Sequence, residues 1–191
     1  MNLTKILTAV FFLLALLVGY FLYDGINKTI EEGKEIKRVE DMVKAKLFKI
    51  RDAQVVYQST FGNYADTWEK LVAFADTGKI YLIQRTEKII KLPYNQERSE
   101  FIYDTLGSVA VKDSLFGPNF NVSSLPELPH AKGKFFSLYA KDSMRSGVSV
   151  DYIEVVDTYP FDRSRKDDSE IDNRRPLRFG SRTDITTSGN W

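Results

Sequence analysis

His130 is the only histidine in the chain and lies in the sequence LPHAKGK. A histidine can act as a general base or bind a metal near neutral pH. His130 has no acid or nucleophile at a spacing that would complete a catalytic group, and the chain has no cysteine to act as a nucleophile or thiolate ligand. We therefore predict no catalytic residue and expect His130 to be structural or solvated.

A short charged segment near the C-terminus could supply the oxygen ligands that calcium prefers. Its acids are Asp167, Asp168, Glu170 and Asp172. The glycine of a calcium-binding loop and its late bidentate glutamate are missing, and basic residues flank the acids on both sides. We therefore predict a solvated run of charges and no metal site.

The tripeptide Lys-Asp-Ser occurs at residues 112–114 and again at residues 141–143. Neither copy has the partner spacing of a serine–lysine hydrolase, so both are predicted to be turns at strand ends. The sequence has no phosphate-binding loop, dinucleotide fingerprint or zinc spacing, and we predict no cofactor. The net charge of +1 and the lack of a basic stripe argue against a nucleic-acid partner.

Residues 6–23 read ILTAVFFLLALLVGYFLY and contain no charged side chain. A helix of this length rises about 27 Å, close to the ~30 Å hydrocarbon core of a bilayer. The alternative is a cleaved secretory signal, but the apolar run ends in GYFLYDG, which has no small-residue cleavage site. We expect a permanent transmembrane helix at residues 6–23, after a short N-terminal end at residues 1–5.

A helical stripe of apolar residues begins after the apolar segment. Its members are Ile36, Val39, Val43, Leu47, Ile50, Tyr57 and Phe61, with Gln54 interrupting the stripe. The spacing predicts a helical spine over residues 24–61, kinked or frayed at Gly25 and Gly33. A helix packed on a β-sheet is our prediction, and a coiled-coil stalk is the alternative.

The sequence FGNY predicts that this helix ends at Gly62 and that a second short helix follows. Asp66 or Thr67 could cap the second helix, and the sequence DTG at residues 76–78 could end it.

From Lys79 the apolar period changes toward two, which predicts β-strands. KIYLIQRT and EKIIKL are predicted as separate strands with a turn at Glu87 and Lys88, and a further strand reaches Val111 with a bend at Gly107. A second hairpin is predicted around residues 143–147. The sequence thus predicts an α+β head over residues 62–160 with an antiparallel sheet.

Residues 161–191 are charged and poor in aliphatic side chains, so we predict a polar tail with PLRFGS as a late edge strand. An aromatic or arginine side chain in such a tail could anchor a partner. We predict partner contacts by Arg174, Arg175, Phe179 and Trp191.

The join between the two predicted helices resembles type IV pilins and type II secretion pseudopilins. The matching residues are Arg51, Ala53, Tyr57, Gly62, Tyr64 and Leu71. The resemblance implies a pilin-like head on an N-terminal apolar helix. Prepilins carry a glycine before their cleavage point and a glutamate five residues into the mature helix. The sequence has neither, so we expect no prepilin processing.

Three segments also resemble uncharacterised single-pass membrane proteins of Bacteroidetes-type bacteria. They are residues 50–71, 104–116 and 176–191. This resemblance implies membership of such a group and no known activity.

Together these features predict a non-enzymatic, pilin-like subunit of an envelope-spanning assembly. Residues 6–23 would contact the lipid bilayer, other membrane or envelope proteins would be partners, and either a homo- or a hetero-oligomer fits this function. We expect a single-pass protein of a bacterial inner membrane with a periplasmic C-terminal domain, mainly from the pilin resemblance. The alternatives are an extracytoplasmic ligand-binding or enzymatic domain and a cytoplasm-facing adaptor, which the lysine and arginine count permits.

Overall fold

The computed structural model describes residues 3–92, 96–145 and 147–191. The chain forms two compact units, Met1–Met42 and Val43–Trp191. The predicted N-terminal end at residues 1–5 and the predicted turn at residues 143–147 each include residues outside the described ranges.

The first helix, α1, runs over Leu3–Phe61. It continues through Gly25 and Gly33, so the predicted fraying there is wrong. Its N-terminal part exposes large apolar side chains, such as Phe11 at 64% and Leu22 at 63% of their full accessibility. Among the described residues it is the one helix that is long and apolar enough to cross a bilayer, in agreement with the predicted span.

Within the second unit, one face of α1 is buried. Val43, Leu47, Ile50 and Ala53 recur every three or four residues and are 0–1% exposed. This spacing is that of an apolar helix face turned toward a core. Burial of each leucine or isoleucine side chain stabilises the fold by about 1.5–3 kcal/mol.

Helix α1 ends where the sequence predicted. Gly62 has a φ of 84°, and its N–H donates to the carbonyl of Gln58 at 2.8 Å. Helix α2 covers Trp68–Thr77, and Gly78 is its C-cap residue. Thr67 occupies the N-cap position, but its side chain makes no capping hydrogen bond.

The next two strands, β1 (Lys79–Leu92) and β2 (Gln96–Ala110), pair antiparallel. The predicted turn at Glu87 and Lys88 is wrong, because both residues lie inside β1. Lys88 is paired with Glu100 on β2, and opposite charges at paired positions favour the strand over a turn. The register shifts by one residue near Gly107, which is a β-bulge in β2.

Strand β2 ends at Ala110, one residue before the predicted end at Val111. Val111 instead begins a short helix, α3 (Val111–Leu115). The stretch between α3 and residue 137 holds a 3-10 helix at Val122–Ser124 and an isolated bridge between Glu127 and Phe135.

A second sheet contains β3 (Ser137–Arg145), β4 (Val148–Val156) and β5 (Arg178–Ser181). All three are antiparallel, in the order β3-β4-β5. The predicted second hairpin and the late edge strand are confirmed. The head therefore has two antiparallel sheets where the sequence predicted one, and the α+β class is confirmed.

Two side chains of the predicted polar tail lie in the core. Leu177 is 2% exposed and Phe179 is 0% exposed, beside Ile153 and Val155 of β4. Gly180 has a φ of 80°, and a Cβ atom at this position would lie 2.0 Å from the carbonyl oxygen of Ile153. Only glycine fits this close approach of β5 to β4.

Candidate functional site

The four predicted partner residues lie in different environments. Arg174 is exposed, at the end of a 3-10 helix over Asp172–Arg174. Arg175 is half-buried, and its Nε donates to the carbonyl of Ser169 at 2.7 Å. Phe179 is fully buried, so it supports the core and offers no contact surface. The physical reason is that β5 pairs with β4 and turns this side chain inward.

Trp191 is 37% exposed and packs edge-on against Phe48 of α1, with ring centroids 5.0 Å apart. Asn190 beside it holds the chain end in place. The backbone N–H of Arg178 donates to Asn190 Oδ1 at 3.0 Å, and Asn190 Nδ2 donates to the carbonyls of Asp172 and Pro176 at 2.9 and 3.0 Å. The C-terminus is therefore a fixed surface, on which Arg174 and Trp191 remain predicted contacts.

A network of charges lies between β4, β5 and the C-terminal segment. Glu154 is 8% exposed and pairs with Arg182 at 2.6 Å and with Arg178 at 3.5 Å. Arg178 also pairs with Asp167 at 3.0 Å. This network was not predicted; its one signal in the sequence is an acid between the apolar Ile153 and Val155.

These charges line a cleft of about 610 Å³. Its ionisable side chains are Glu154, Asp157, Arg165, Asp167, Arg178 and Arg182, which gives three acids and three arginines. Opposite charges in equal number create no net field that would attract a ligand of one sign. We interpret the network as a means of fastening the C-terminal segment to the sheet.

The acids that could have suggested calcium are partly neutralised by arginines. Asp167 pairs with Arg178, and Asp172 lies 3.8 Å from Arg175. No three His, Cys, Asp or Glu side chains converge as metal ligands in the described part of the chain.

The structure places His130 against a loop. Its Nε2 donates to the carbonyl of Tyr159 at 2.8 Å, and its ring meets Phe161 edge-on. Its Nδ1 is buried without a hydrogen-bond partner in the described part of the chain. The first Lys-Asp-Ser tripeptide lies in α3 and the second lies inside β3, so the predicted turn is wrong for both.

The break between α1 and α2 is held by a glutamine. Gln54 is 0% exposed, accepts from the backbone N–H of Ala65 at 2.9 Å and donates to the carbonyl of Ala65 at 3.1 Å. Its amide thus satisfies both backbone groups of a buried residue that belongs to no helix or strand. In the sequence, Gln54 is recognisable only as an interruption of the apolar stripe.

One turn later, Gln58 Nε2 donates to Asp151 of β4 at 3.0 Å, which connects the helix to the sheet. Burial and the nearby Asp151 carboxylate raise the pKa of Tyr64. Tyr64 and Asp151 border a small polar cleft of about 150 Å³ together with Tyr57 and Lys70. Hydrogen bonds of two glutamines therefore hold the join, beside the ring contacts of Phe74 with Tyr57 and Phe61.

The β1–β2 hairpin presents a large exposed apolar surface. Its exposed members are Tyr81, Leu82, Ile83, Ile89, Phe101, Ile102, Tyr103, Leu106 and Val109, each 39–67% accessible. Extended apolar patches of this kind mark interaction sites in soluble domains. Alternating sequence predicted strands here, but it did not reveal that both faces of the hairpin are uncovered.

No protein-family model, curated protein or solved structure matches this chain.

Proposed function

We propose that this protein is a non-enzymatic, membrane-anchored subunit of an envelope-spanning assembly, and that it acts through protein–protein contacts. The observation that carries the proposal is the character of α1. One continuous helix begins in a stretch of exposed apolar side chains long enough for a bilayer, and one face of its later part is buried in the core of a folded domain.

The first part of the proposal is the anchor. Large side chains such as Phe12, Leu13 and Phe21 are 64–66% exposed. Exposing this much apolar surface to water is unfavourable by about 25 cal/mol for each Å². Contact with lipid removes that cost, which supports residues 6–23 as a permanent membrane span.

The second part is the interaction role. The exposed β1–β2 hairpin supports it, because an unpaired strand edge can accept a strand of a partner and an exposed apolar face can pack against one. A pilin-like head fits this role, and its support is a helix ending at Gly62 followed by antiparallel sheets.

The third part is the location, a bacterial inner membrane with the C-terminal domain in the periplasm. The count of lysine and arginine residues would place the C-terminal side in the cytoplasm, but this rule is read most safely on short loops. Here the span is followed by a folded unit of 149 residues, Val43–Trp191, so the count carries little weight.

The proposal is tested in two steps. Alkaline carbonate extraction of membranes should leave the full chain in the pellet and release a variant lacking residues 6–23. An alkaline phosphatase fused after Trp191 should be active, and a green fluorescent protein at the same position should be dark. Release of the full chain by carbonate, or a fluorescent and phosphatase-inactive pair, would refute the anchor or the orientation respectively.

A further inference from the structure

The hairpin of β1 and β2 is a two-stranded sheet in the described part of the chain, with no third strand at either edge. An isolated two-stranded hairpin is at best marginally stable in water; three or more strands with an apolar face, or packing against a helix, give independent stability. In the described ranges each of the two strands has an unpaired outer edge, so a further strand can complete this sheet.

The two free edges of the hairpin differ. Strand β2 has the bulge near Gly107, and a bulge interrupts the regular pattern of N–H and C=O groups that an added strand needs. Strand β1 is regular along its 14 residues. The outer edge of β1 is thus the better template for strand addition.

The sequence of β1 complements itself when a second copy runs antiparallel with Thr86 at the centre. Ile83 then lies opposite Ile89, and Leu82 lies opposite Ile90. Arg85 lies opposite Glu87, twice by symmetry. Apolar and oppositely charged pairs at facing positions stabilise antiparallel strands.

The neighbouring registers lack this match. Side chains alternate between the two faces of a sheet, and facing residues must point to the same face. The centre of symmetry can therefore move only by whole residues, from Thr86 to Arg85 or to Glu87. Centring on Arg85 places two arginines face to face, and centring on Glu87 places two glutamates face to face. Like charges at facing positions are destabilising, which favours the Thr86 register over both neighbours.

We propose that two copies of this chain associate through β1, antiparallel about Thr86, and form a four-stranded sheet in the order β2-β1-β1-β2. A twofold axis passes between the two Thr86 residues, so the interface is closed and self-complementary. The proposal deepens the proposed function and rests on it, because it names the partner that the hairpin contacts.

The absence of cysteine makes a direct test simple, since a single introduced cysteine is the only thiol in the chain. Facing residues in antiparallel strands have Cα atoms about 4.5–5.5 Å apart, within the range of a disulfide. The full chain with Thr86→Cys, in native membranes treated with copper phenanthroline, should form a disulfide-linked dimer.

Gln84→Cys is the matched control, because it lies on the same face two residues away. In the proposed register each Gln84 faces Lys88 of the second copy, so the two Gln84 positions lie about 14 Å apart along the strand. Gln84→Cys alone should give no dimer, whereas co-expressed Gln84→Cys and Lys88→Cys chains should crosslink to each other.

Charge exchange provides a test without oxidation. Arg85→Glu or Glu87→Arg alone should weaken self-association at least about tenfold, because each places like charges opposite one another twice. A mixture of the two variants should restore association, since every facing pair is again opposite in charge. Energy transfer between two labelled chains in lipid nanodiscs measures this recovery.

The proposal is overturned if Thr86→Cys yields no dimer, if Gln84→Cys crosslinks as readily, or if the mixed charge variants do not recover association. The chain would remain bound to membranes in each of these outcomes, which leaves the proposed anchor standing. Release of the full chain by carbonate would instead count against the proposed function, whatever the crosslinking result.

Discussion

Replacing Gln54 by Met tests how the break between α1 and α2 is held. Methionine has nearly the length of glutamine and keeps the buried position filled, but it offers only a weakly accepting thioether. The variant removes the hydrogen bonds to the N–H and the C=O of Ala65. Ala65 is 0% exposed, so water does not replace these bonds without opening the fold.

Each buried backbone group left without a partner costs about 1–3 kcal/mol. Two such groups give an expected loss of about 2–6 kcal/mol from the free energy of unfolding. A domain of this size is stable by about 5–15 kcal/mol, so the loss is a large share of the total. With a slope near 2 kcal/mol/M, the urea midpoint should fall by about 1–3 M.

Tryptophan fluorescence during urea unfolding measures the effect. The chain has two tryptophans, Trp68 and Trp191, and both lie in the second unit, so the signal reports that unit alone. Gln58→Met is the matched control. Gln58 is half-buried and donates to the half-buried Asp151, so water can replace this bond and the loss should stay below about 1 kcal/mol.

A midpoint shift for Gln54→Met no larger than that for Gln58→Met would refute the reasoning. It would mean that the two Ala65 groups find other partners or water in the variant.

Three further predictions concern the second unit, each read by the same urea unfolding of the full chain in detergent. Gly180→Ala should lower stability by at least about 2 kcal/mol, because its φ is 80° and a Cβ would overlap the Ile153 carbonyl; Gly117→Ala, at φ 83° but with open space around it, should lose only about 1–2 kcal/mol. Asn190→Ala should cost about 1.5–4.5 kcal/mol for the three hydrogen bonds of its side chain, and an unchanged midpoint would show that the C-terminus is not held there. Burial lowers the pKa of Lys46 from its ordinary 10.5, so at neutral pH the folded state carries a disfavoured charge. Lys46→Met should therefore be more stable than the natural chain at pH 7, and this advantage should shrink as pH rises through the lowered pKa toward 10.5; a pH-independent difference would refute it.

The helical elements and their ends followed from local patterns. The apolar stripe of α1 and the glycine at residue 62 are signals that act within a few residues, and the structure has both the helix and its end. The second hairpin and β5 were likewise visible as alternating segments near turn residues.

The errors concern residues whose state depends on distant partners. Glu87 and Lys88 resemble a turn in sequence, but Lys88 is paired with Glu100 twelve residues later within one hairpin. The C-terminal segment is polar on average, yet its Leu177 and Phe179 side chains lie in the core. Average composition conceals two buried side chains in a charged segment.

The site was harder to predict for the same reason. Gln54 breaks an apolar stripe, and only the position of Ala65, eleven residues away, gives its amide a role. Glu154 and its arginine partners are likewise separated by more than twenty residues. Phe179 was chosen as a contact residue from its aromatic type, whereas strand pairing with β4 decides its direction.

Cysteine labelling of intact spheroplasts tests the membrane-anchored, outward-facing head most directly. Lys132 is exposed on the head, and Lys5 precedes the apolar segment. With a maleimide that does not cross membranes, Lys132→Cys should be labelled at once, and Lys5→Cys should be labelled only after detergent opens the membrane. The reverse pattern, or labelled chain in the soluble fraction, would contradict the proposed anchor and orientation.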